Sequence, residues 1–309
     1  MIRYKTLKQH PKHFLRFTGL KVKEFDKLVS EIHSDYLNQR IKRLNKNNPN
    51  RIRKIGGGRK KILSTLEDQL LLALVWAKLY PSYLILEYFF GVDESTVCRT
   101  IQEIIPLLQS KFILPKRRKG KKITTIEELK EIIPDLDEIL TDATEQKIPR
   151  PKKKTKRKKY HSGRKKSFTI KTQITTNKKG FIIHISQSFP GKKHDYRLFK
   201  ESFLSKIIPK QTKLYLDSGY QGIQKDFPNL NSIIPYKRTK NHQKLTHSEK
   251  IQNHKQRKIR VKVEHTLSYL KKYQVLSQIY RHSLKNYNLI FRFVANVVNF
   301  RMLQRLQYG

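Results

Sequence analysis

Three carboxylates in the C-terminal half are the side chains best placed to do chemistry: Asp142 in "EILTDATEQK", Asp217 in "KLYLDSGYQG" and Glu264 in "RVKVEHTLSYL". The chain carries 68 Lys+Arg against 24 Asp+Glu, and from residue 140 onward its only acids are Asp142, Glu145, Asp195, Glu201, Asp217, Asp226, Glu249 and Glu264. Such scarcity makes each acid informative. Asp142 follows the apolar run EIL, Asp217 follows KLYL, and Glu264 lies among Val261, Val263 and Leu267 at the start of an expected helix, so each sits beside an element that can hold it rigidly. Taken singly, each has a plain structural explanation: a strand-end cap for Asp142, a turn residue before Gly219 for Asp217, with Gly219 expected to let the chain turn away sharply, and an i,i+4 ion pair with Arg260 for Glu264. Taken together, three oxygen ligands on separate elements suit a hard cation, Mg²⁺ or Mn²⁺, which commonly takes a few carboxylates together with water and phosphate. Two such ions sharing a carboxylate can activate an attacking oxygen and stabilise a leaving one at phosphorus. No Cys/His cluster with zinc spacing competes.

The surrounding charge points to the same chemistry. A formal net charge of +44 exceeds what solubility needs and attracts phosphate polymers or anionic surfaces. AT-rich coding would inflate Lys, Asn and Ile, yet Glu codons are equally AT-rich, so the shortage of acids needs another cause; nucleic acid is the leading partner. With 309 residues and 37% hydrophobic content the chain can build one large domain or two ordinary ones, which excludes a disordered tail. The longest apolar candidate, "LLLALVWAKLY", contains Lys78 and is too short to span a bilayer. The N-terminus "MIRYKTLKQHPKHFLRF" lacks an apolar leader core, and the lone Cys98 cannot form an internal disulfide, so the expected location is the bacterial cytoplasm, on the nucleoid.

The elements that must position these acids can be read from periodicity. Phe25, Leu28, Val29, Ile32 and Tyr36 recur at helical spacing, and the basic stretch after them, "NQRIKRLNKNNPNRIRKIGGGRKK", reads as a linker or basic arm. Ser64 or Thr65 can cap a helix carrying Leu66, Leu70, Ala73, Leu74 and Ala77. Beyond Pro81, an apolar helix breaks at Gly91, and Asp93 is placed to cap another, which Pro106 should end or kink near Ile105; this is the pattern of a helix-turn-helix over about 65–109. Its second helix would bury Val97, Ile101, Ile104 and Leu108 and turn Ser95, Thr96, Arg99 and Gln102 outward, toward phosphates or base edges or simply toward solvent. The helical DNA-binding region is expected over 1–115. An acidic helix follows at 116–136, and the stretch "IEELKEIIPDLDEILTDATE" at 126–145, which runs from it into the next domain, holds a third of all the acids. A strand-rich domain is expected over 137–305, with "SFTIKTQITTN" and "GFIIHISQSF" forming a hairpin across NKKG. Between the first strand and the hairpin, residues 149–166 hold eleven Lys or Arg and no acid. Self-repulsion should keep much of this run mobile when free, and contact with DNA backbone is the favoured role.

In order along the chain, "TDATEQKI", "YHSGRKKSFTIKTQ", "PGKKHDYRLF", "YLDSGYQG" and "RVKVEHTLSYLKKY" resemble the motifs of DDE-superfamily transposases, specifically the insertion-sequence group related to Harbinger elements. The resemblance covers roughly residues 137–305, and the helix-turn-helix resembles the domain that precedes this region in the family. It implies an α/β catalytic domain of ribonuclease H-like fold, a mixed sheet flanked by helices, after an all-α DNA-binding domain. It implies catalytic, metal-binding roles for Asp142, Asp217 and Glu264 with two Mg²⁺ ions, and supporting positions for His194 and Asp195, the latter equally readable as a helix cap; Arg260 is placed beside them. It also brings Tyr160, Gly163 and Lys165 toward DNA, within a basic segment in which Lys156, Arg157, Lys158, Lys159 and Arg164 would contact the backbone. The implied function is binding of terminal inverted repeats and metal-dependent cleavage and strand transfer into target DNA by a homodimer or higher multimer. Against this stand a catalytically inactive, domesticated DNA-binding protein and a basic RNA-binding protein.

Overall fold

The computed structural model describes residues 1–47, 61–108, 136–202, 208, 211–238 and 243–308. The expected glycine linker and the acidic helix at 116–136 lie outside the described residues, apart from Leu136. The chain divides into two units, one built from Met1–Phe112, Lys272–Val275 and Leu289–Gly309, the other from Ile113–Lys271 and Leu276–Asn288.

In the first unit, α1 (Tyr4–Leu7), α2 (Pro11–Thr18) and α3 (Val22–Asn47) precede α4 (Leu66–Leu79), α5 (Tyr83–Phe90) and α6 (Glu94–Leu108). The apolar stripe of α3 is buried as expected, from Phe25 to Tyr36. The helix then continues into the first part of the segment expected to be a linker, as far as Asn47, because Gln, Arg, Lys and Leu are all good helix formers and Arg43 pairs with Glu103 on α6. Thr65 caps α4 by accepting from the Asp68 N–H at 3.2 Å. The whole stretch Gln69–Ala77 is buried, so α4 is the central helix, packed by α2, α3, α5 and α6, rather than a one-sided amphipathic one.

Gly91, at φ +58°, closes α5 in the left-handed conformation that favours glycine, with its N–H on the Glu87 carbonyl. The side-chain cap of α6 is not the expected Asp93. The Glu87 carboxylate reaches across the turn to the Glu94 N–H at 2.9 Å, while Asp93 contributes its backbone carbonyl to Thr96 and Val97. Pro106 lies inside α6, which runs on to Leu108.

The second unit holds a seven-stranded mixed sheet: β1 (Glu138–Lys147), β2 (His161–Ser162), β3 (Ser167–Asn177), β4 (Ile182–Ile185), β5 (Phe189–Pro190), β6 (Lys213–Tyr215) and β7 (Asn231–Ile233). The path runs β2-β3-β1-β6-β7, with β4 and β5 also pairing β3. β1 is antiparallel to β3 and parallel to β6, which is parallel to β7. The β3–β4 hairpin forms where expected: Asn177 Oδ1 accepts from the Lys179 and Phe181 N–H groups, and Gly180 takes φ +87°. Helices α7 (Lys154–Tyr160), α8 (Asp195–Lys200) and α9 (Ile223–Asp226) lie in the connections, and α10 (His247–Lys271) packs on β1. On α10, Thr266 donates to the Gly180 carbonyl at 2.8 Å, fixing the helix to the hairpin turn. A buried cluster including Ile139, Phe199, Leu214, Leu216, Tyr220 and Ile223 fills the other side of the sheet. The last helix, α11 (Tyr287–Tyr308), contributes its residues from Leu289 onward to the first unit. No helix among the described residues is long and apolar enough to cross a membrane.

Candidate active site

Asp142 lies in the middle of β1, not at its end, because β3 pairs β1 all the way from Ile139 to Lys147. Residues two apart on a strand share a face. Thr141 meets Thr175 (Oγ1 to Oγ1, 2.8 Å) and Glu145 meets Lys171 on one face, so Asp142 projects from the other, where α10 packs. It accepts a 2.8 Å hydrogen bond from the Ala143 N–H. Burial raises its carboxyl from an ordinary 3.8 to about 6, against the lowering effects of that hydrogen bond and of the Arg260 charge; Asp217 and Asp195 push it up further.

Asp217 stands two residues beyond the end of β6, the neighbour of β1, and opens a 3₁₀ turn, Ser218–Tyr220, in which its carbonyl accepts from the Tyr220 N–H. The glycine responsible for the reversal here is Gly222, at φ +92°; Gly219, expected to make that turn, adopts ordinary backbone angles with open space where a Cβ would be.

Arg260 reaches from α10 to pair with Asp217 at 3.2 Å, and its charge also acts on Asp142. It is therefore partner to the aspartates and not to Glu264, which makes no ion pair among the described residues. Glu264, one helical turn further, is exposed and lines the same cleft of about 570 Å³ as Asp217 and Arg260. Among the described residues, no three His, Cys, Asp or Glu side chains converge closely enough to enclose a metal ion. The donor set nonetheless suits a hard cation: Asp142 feels the charge of Asp217, Asp142 carries an ionisation penalty a cation would relieve, and all three are oxygen donors. The Arg260 Nε is buried with no hydrogen-bond partner among the described residues, a donor left over for an anion.

Behind β1 lies a second polar assembly that sequence patterning does not disclose. Lys171, on β3 and 7% exposed, is paired with Glu145 at 3.3 Å and Asp195 at 2.9 Å and donates to the Lys193 carbonyl. Burial acts to raise the Glu145 carboxyl, but hydrogen bonds from Ser162 and Thr169 and the Lys171 charge outweigh it and hold the group below its usual value. The adjoining Gln173 donates to the Tyr220 hydroxyl at 2.7 Å, and burial drives that phenol well above its normal value. Asp195 is thus an ion-pair partner at the first position of α8, while His194, exposed, takes the N-cap position without a side-chain cap bond. The signal for this assembly is a lysine inside a β-branched strand, legible only once register places it opposite Glu145.

Within the basic segment, Lys154–Tyr160 forms α7. Arg157 is used internally, donating to the Pro151 and Lys152 carbonyls at 2.9 and 2.8 Å. Lys156, Lys158, Lys159, Gly163, Arg164 and Lys165 are exposed, Tyr160 half-buried, and the position a Gly163 Cβ would take is open. In the first unit, Ser95, Arg99 and Gln102 are exposed on α6 and Thr96 is half-buried, while Val97, Ile101, Ile104 and Leu108 are in the core, as expected for a helix presenting one face outward.

Comparison with known proteins matches residues 141–299 to the family described as DDE superfamily endonuclease, and residues 61–112 to the helix-turn-helix of DDE superfamily endonuclease. The chain is similar to a protein described as a probable transposase for insertion sequence element IS702 from Microchaete diplosiphon, 30% identical over 291 residues and covering 94% of each chain. These matches stand at the level of the superfamily and do not single out the Harbinger-related group. No solved structure matches significantly.

Proposed function

We propose, for a chain that belongs to the DDE superfamily of endonucleases, a DNA transposase whose second unit cuts the ends of its element and joins them to target DNA. The chain is a DNA-cleaving enzyme with a helix-turn-helix for binding DNA. Endonucleases of this superfamily depend on a divalent metal. We assign Asp142, Asp217 and Glu264 as its ligands, with two Mg²⁺ ions, or Mn²⁺ in their place, supplying Lewis-acid chemistry and charge neutralisation at the phosphate. The observation that carries this reading is that Asp142 on β1 feels the charge of Asp217, which follows the neighbouring parallel strand β6, in a chain otherwise dominated by cations.

The chain's own groups do the rest. Arg260 holds the Asp217 carboxylate in place and offers its spare Nε to a phosphate oxygen. Lys171 fixes Asp195 behind β1, and Gln173 fixes Tyr220 next to the turn that carries Asp217. Ser95, Thr96, Arg99 and Gln102 on α6 would read the terminal inverted repeats, with Lys156, Lys158, Lys159, Arg164 and Lys165 along the backbone. Pairing of two element ends calls for a homodimer or higher multimer on DNA, working in the cytoplasm at the nucleoid. All three carboxylates are present, so an inactive DNA-binding protein is not the favoured reading. The test is Mg²⁺-dependent cleavage of the element's own ends by the wild type and by Asp142→Ala, Asp217→Asn and Glu264→Ala variants. Wild-type strand transfer retained in all three variants would overturn the site assignment.

A further inference from the structure

We infer that Tyr236 is a stacking platform for an unpaired nucleobase beside the phosphate to be cut. The inference rests on reading the cleft as the DNA site and adds to it the state of the substrate: one nucleotide next to the scissile bond is taken out of the helix and held against this ring.

Tyr236 follows Pro235 beyond β7 and lines the cleft that Asp217, Arg260 and Glu264 share. Its side chain is 46% exposed, unlike the buried tyrosines of this unit such as Tyr220 and Tyr280. Exposure of one ring is ordinary; its anchoring is not. The Tyr236 N–H donates to Asn253 Oδ1 at 2.8 Å, and Asn253 Nδ2 donates back to the Tyr236 carbonyl at 3.0 Å. This two-point clamp ties the main chain of one residue to α10, the helix that carries Arg260 and Glu264. The backbone is thus held from both sides while nearly half of the residue's surface stays open to the cleft. No hydrogen bond engages its hydroxyl among the described residues.

The surroundings identify the class of ligand. Lys237, Arg238 and Arg257 are exposed around the same cleft, so what enters is polyanionic. A flat aromatic face among cations matches the combination by which proteins hold single-stranded nucleic acid, with cations tracking the backbone and the ring carrying a base. A base stacked inside a duplex has no free face to offer, so use of this ring requires that the base be unstacked first.

The experiment compares end substrates carrying a short single-stranded extension at the cleavage position, with either normal bases or abasic sites in the extension. Binding is measured at fixed salt for the full-length wild type and for Tyr236→Ala, Tyr236→Phe and Asn253→Ala. The wild type should prefer the base-bearing substrate, by roughly 5- to 150-fold for a lost aromatic stack. Tyr236→Ala should abolish the preference and Tyr236→Phe keep it. Asn253→Ala, which loosens the clamp and leaves the ring, should reduce it partially. Equal binding of both substrates by the wild type, or a preference that survives Tyr236→Ala, overturns the inference. Cleavage in Mg²⁺ is scored separately on ordinary duplex ends. If the wild type discriminates bases but never cleaves, the reading of the site as a nuclease fails while the platform stands; if it cleaves without discriminating, the nuclease stands and the platform fails.

Discussion

Replacing Asp142 with asparagine should make the protein more stable in the absence of metal while removing its activity. The carboxyl is raised by burial from an ordinary 3.8 to about 6. Below about pH 4 it is protonated in folded and unfolded chains alike. As the pH climbs from there toward 6, the unfolded chain releases the proton while the fold retains it, so stability falls; above 6 the fall is complete. At 1.36 kcal/mol per pH unit the loss amounts to about 3 kcal/mol. The asparagine of Asp142→Asn imitates the protonated acid and can still accept the Ala143 N–H. At pH 8 in EDTA the variant should therefore exceed the wild type by about 3 kcal/mol, or roughly 5–10 °C in melting temperature. The gap should close toward pH 4. Saturating Mg²⁺ should stabilise the wild type and leave the variant nearly unmoved, since only a state that binds the ion gains from it. Equal melting temperatures at pH 8 in EDTA, or a gap unchanged at pH 4, would refute the claim that this carboxylate is held at a cost in the empty site.

Lys171→Ala should destabilise the second unit by about 3–5 kcal/mol in thermal or denaturant unfolding, because it strands the Glu145 carboxylate in a buried site; Lys171→Ala combined with Glu145→Gln should recover part of the loss. Since Glu145 is held below its ordinary value, its contribution is present above that value and disappears as the pH falls through the folded one, so the wild type should lose stability on acidification in a way the double variant does not. Neutralising Lys156, Lys158, Lys159, Arg164 and Lys165 together should weaken binding to all DNA sequences and flatten the salt dependence by about 0.9 for each phosphate no longer neutralised; an unchanged slope in a filter-binding titration would remove these residues from the interface. Arg99→Ala and Gln102→Ala should lower the preference for element ends over random DNA, with little effect on unfolding, because both side chains are exposed.

Where apolar residues recur at fixed spacing, the chain announces its structure: the stripe of α3, the buried side of α6 and the β3–β4 hairpin all lie where periodicity places them. Polar helices carry no apolar rhythm, so the second half of α3 and the start of α10 at His247 resemble basic connectors in sequence. A local sign of the latter exists: Thr246 and Glu249 form a reciprocal cap, with Thr246 N–H to Glu249 Oε2 at 2.8 Å and Glu249 N–H to Thr246 Oγ1 at 3.2 Å, from a Thr-x-x-Glu signature. At the site, the scarcity of acids is enough to lead to Asp142 and Asp217. Lys171 and Gln173 stay hidden because their partners come from strand register, and Tyr236 because a clamp between residues far apart in sequence leaves no local mark. The turn-making glycine is concealed for a similar reason, Gly219 and Gly222 being equivalent until the dihedral angles are known.

The division of the chain also sets an order of events during synthesis. Phe291, Phe293, Val294, Val297 and Phe300 of α11 are buried and belong to the same unit as the N-terminal helices, although the whole sheet is encoded between them. While the chain is still being made, α1–α6 emerge without the helix that completes their core, so the helix-turn-helix cannot reach its full stability until the ribosome has passed the whole sheet and produced α11. Messages interrupted before that point would yield chains whose recognition unit is left unfinished, and a copy of the gene broken late in its reading frame would lose its hold on DNA along with its last helix.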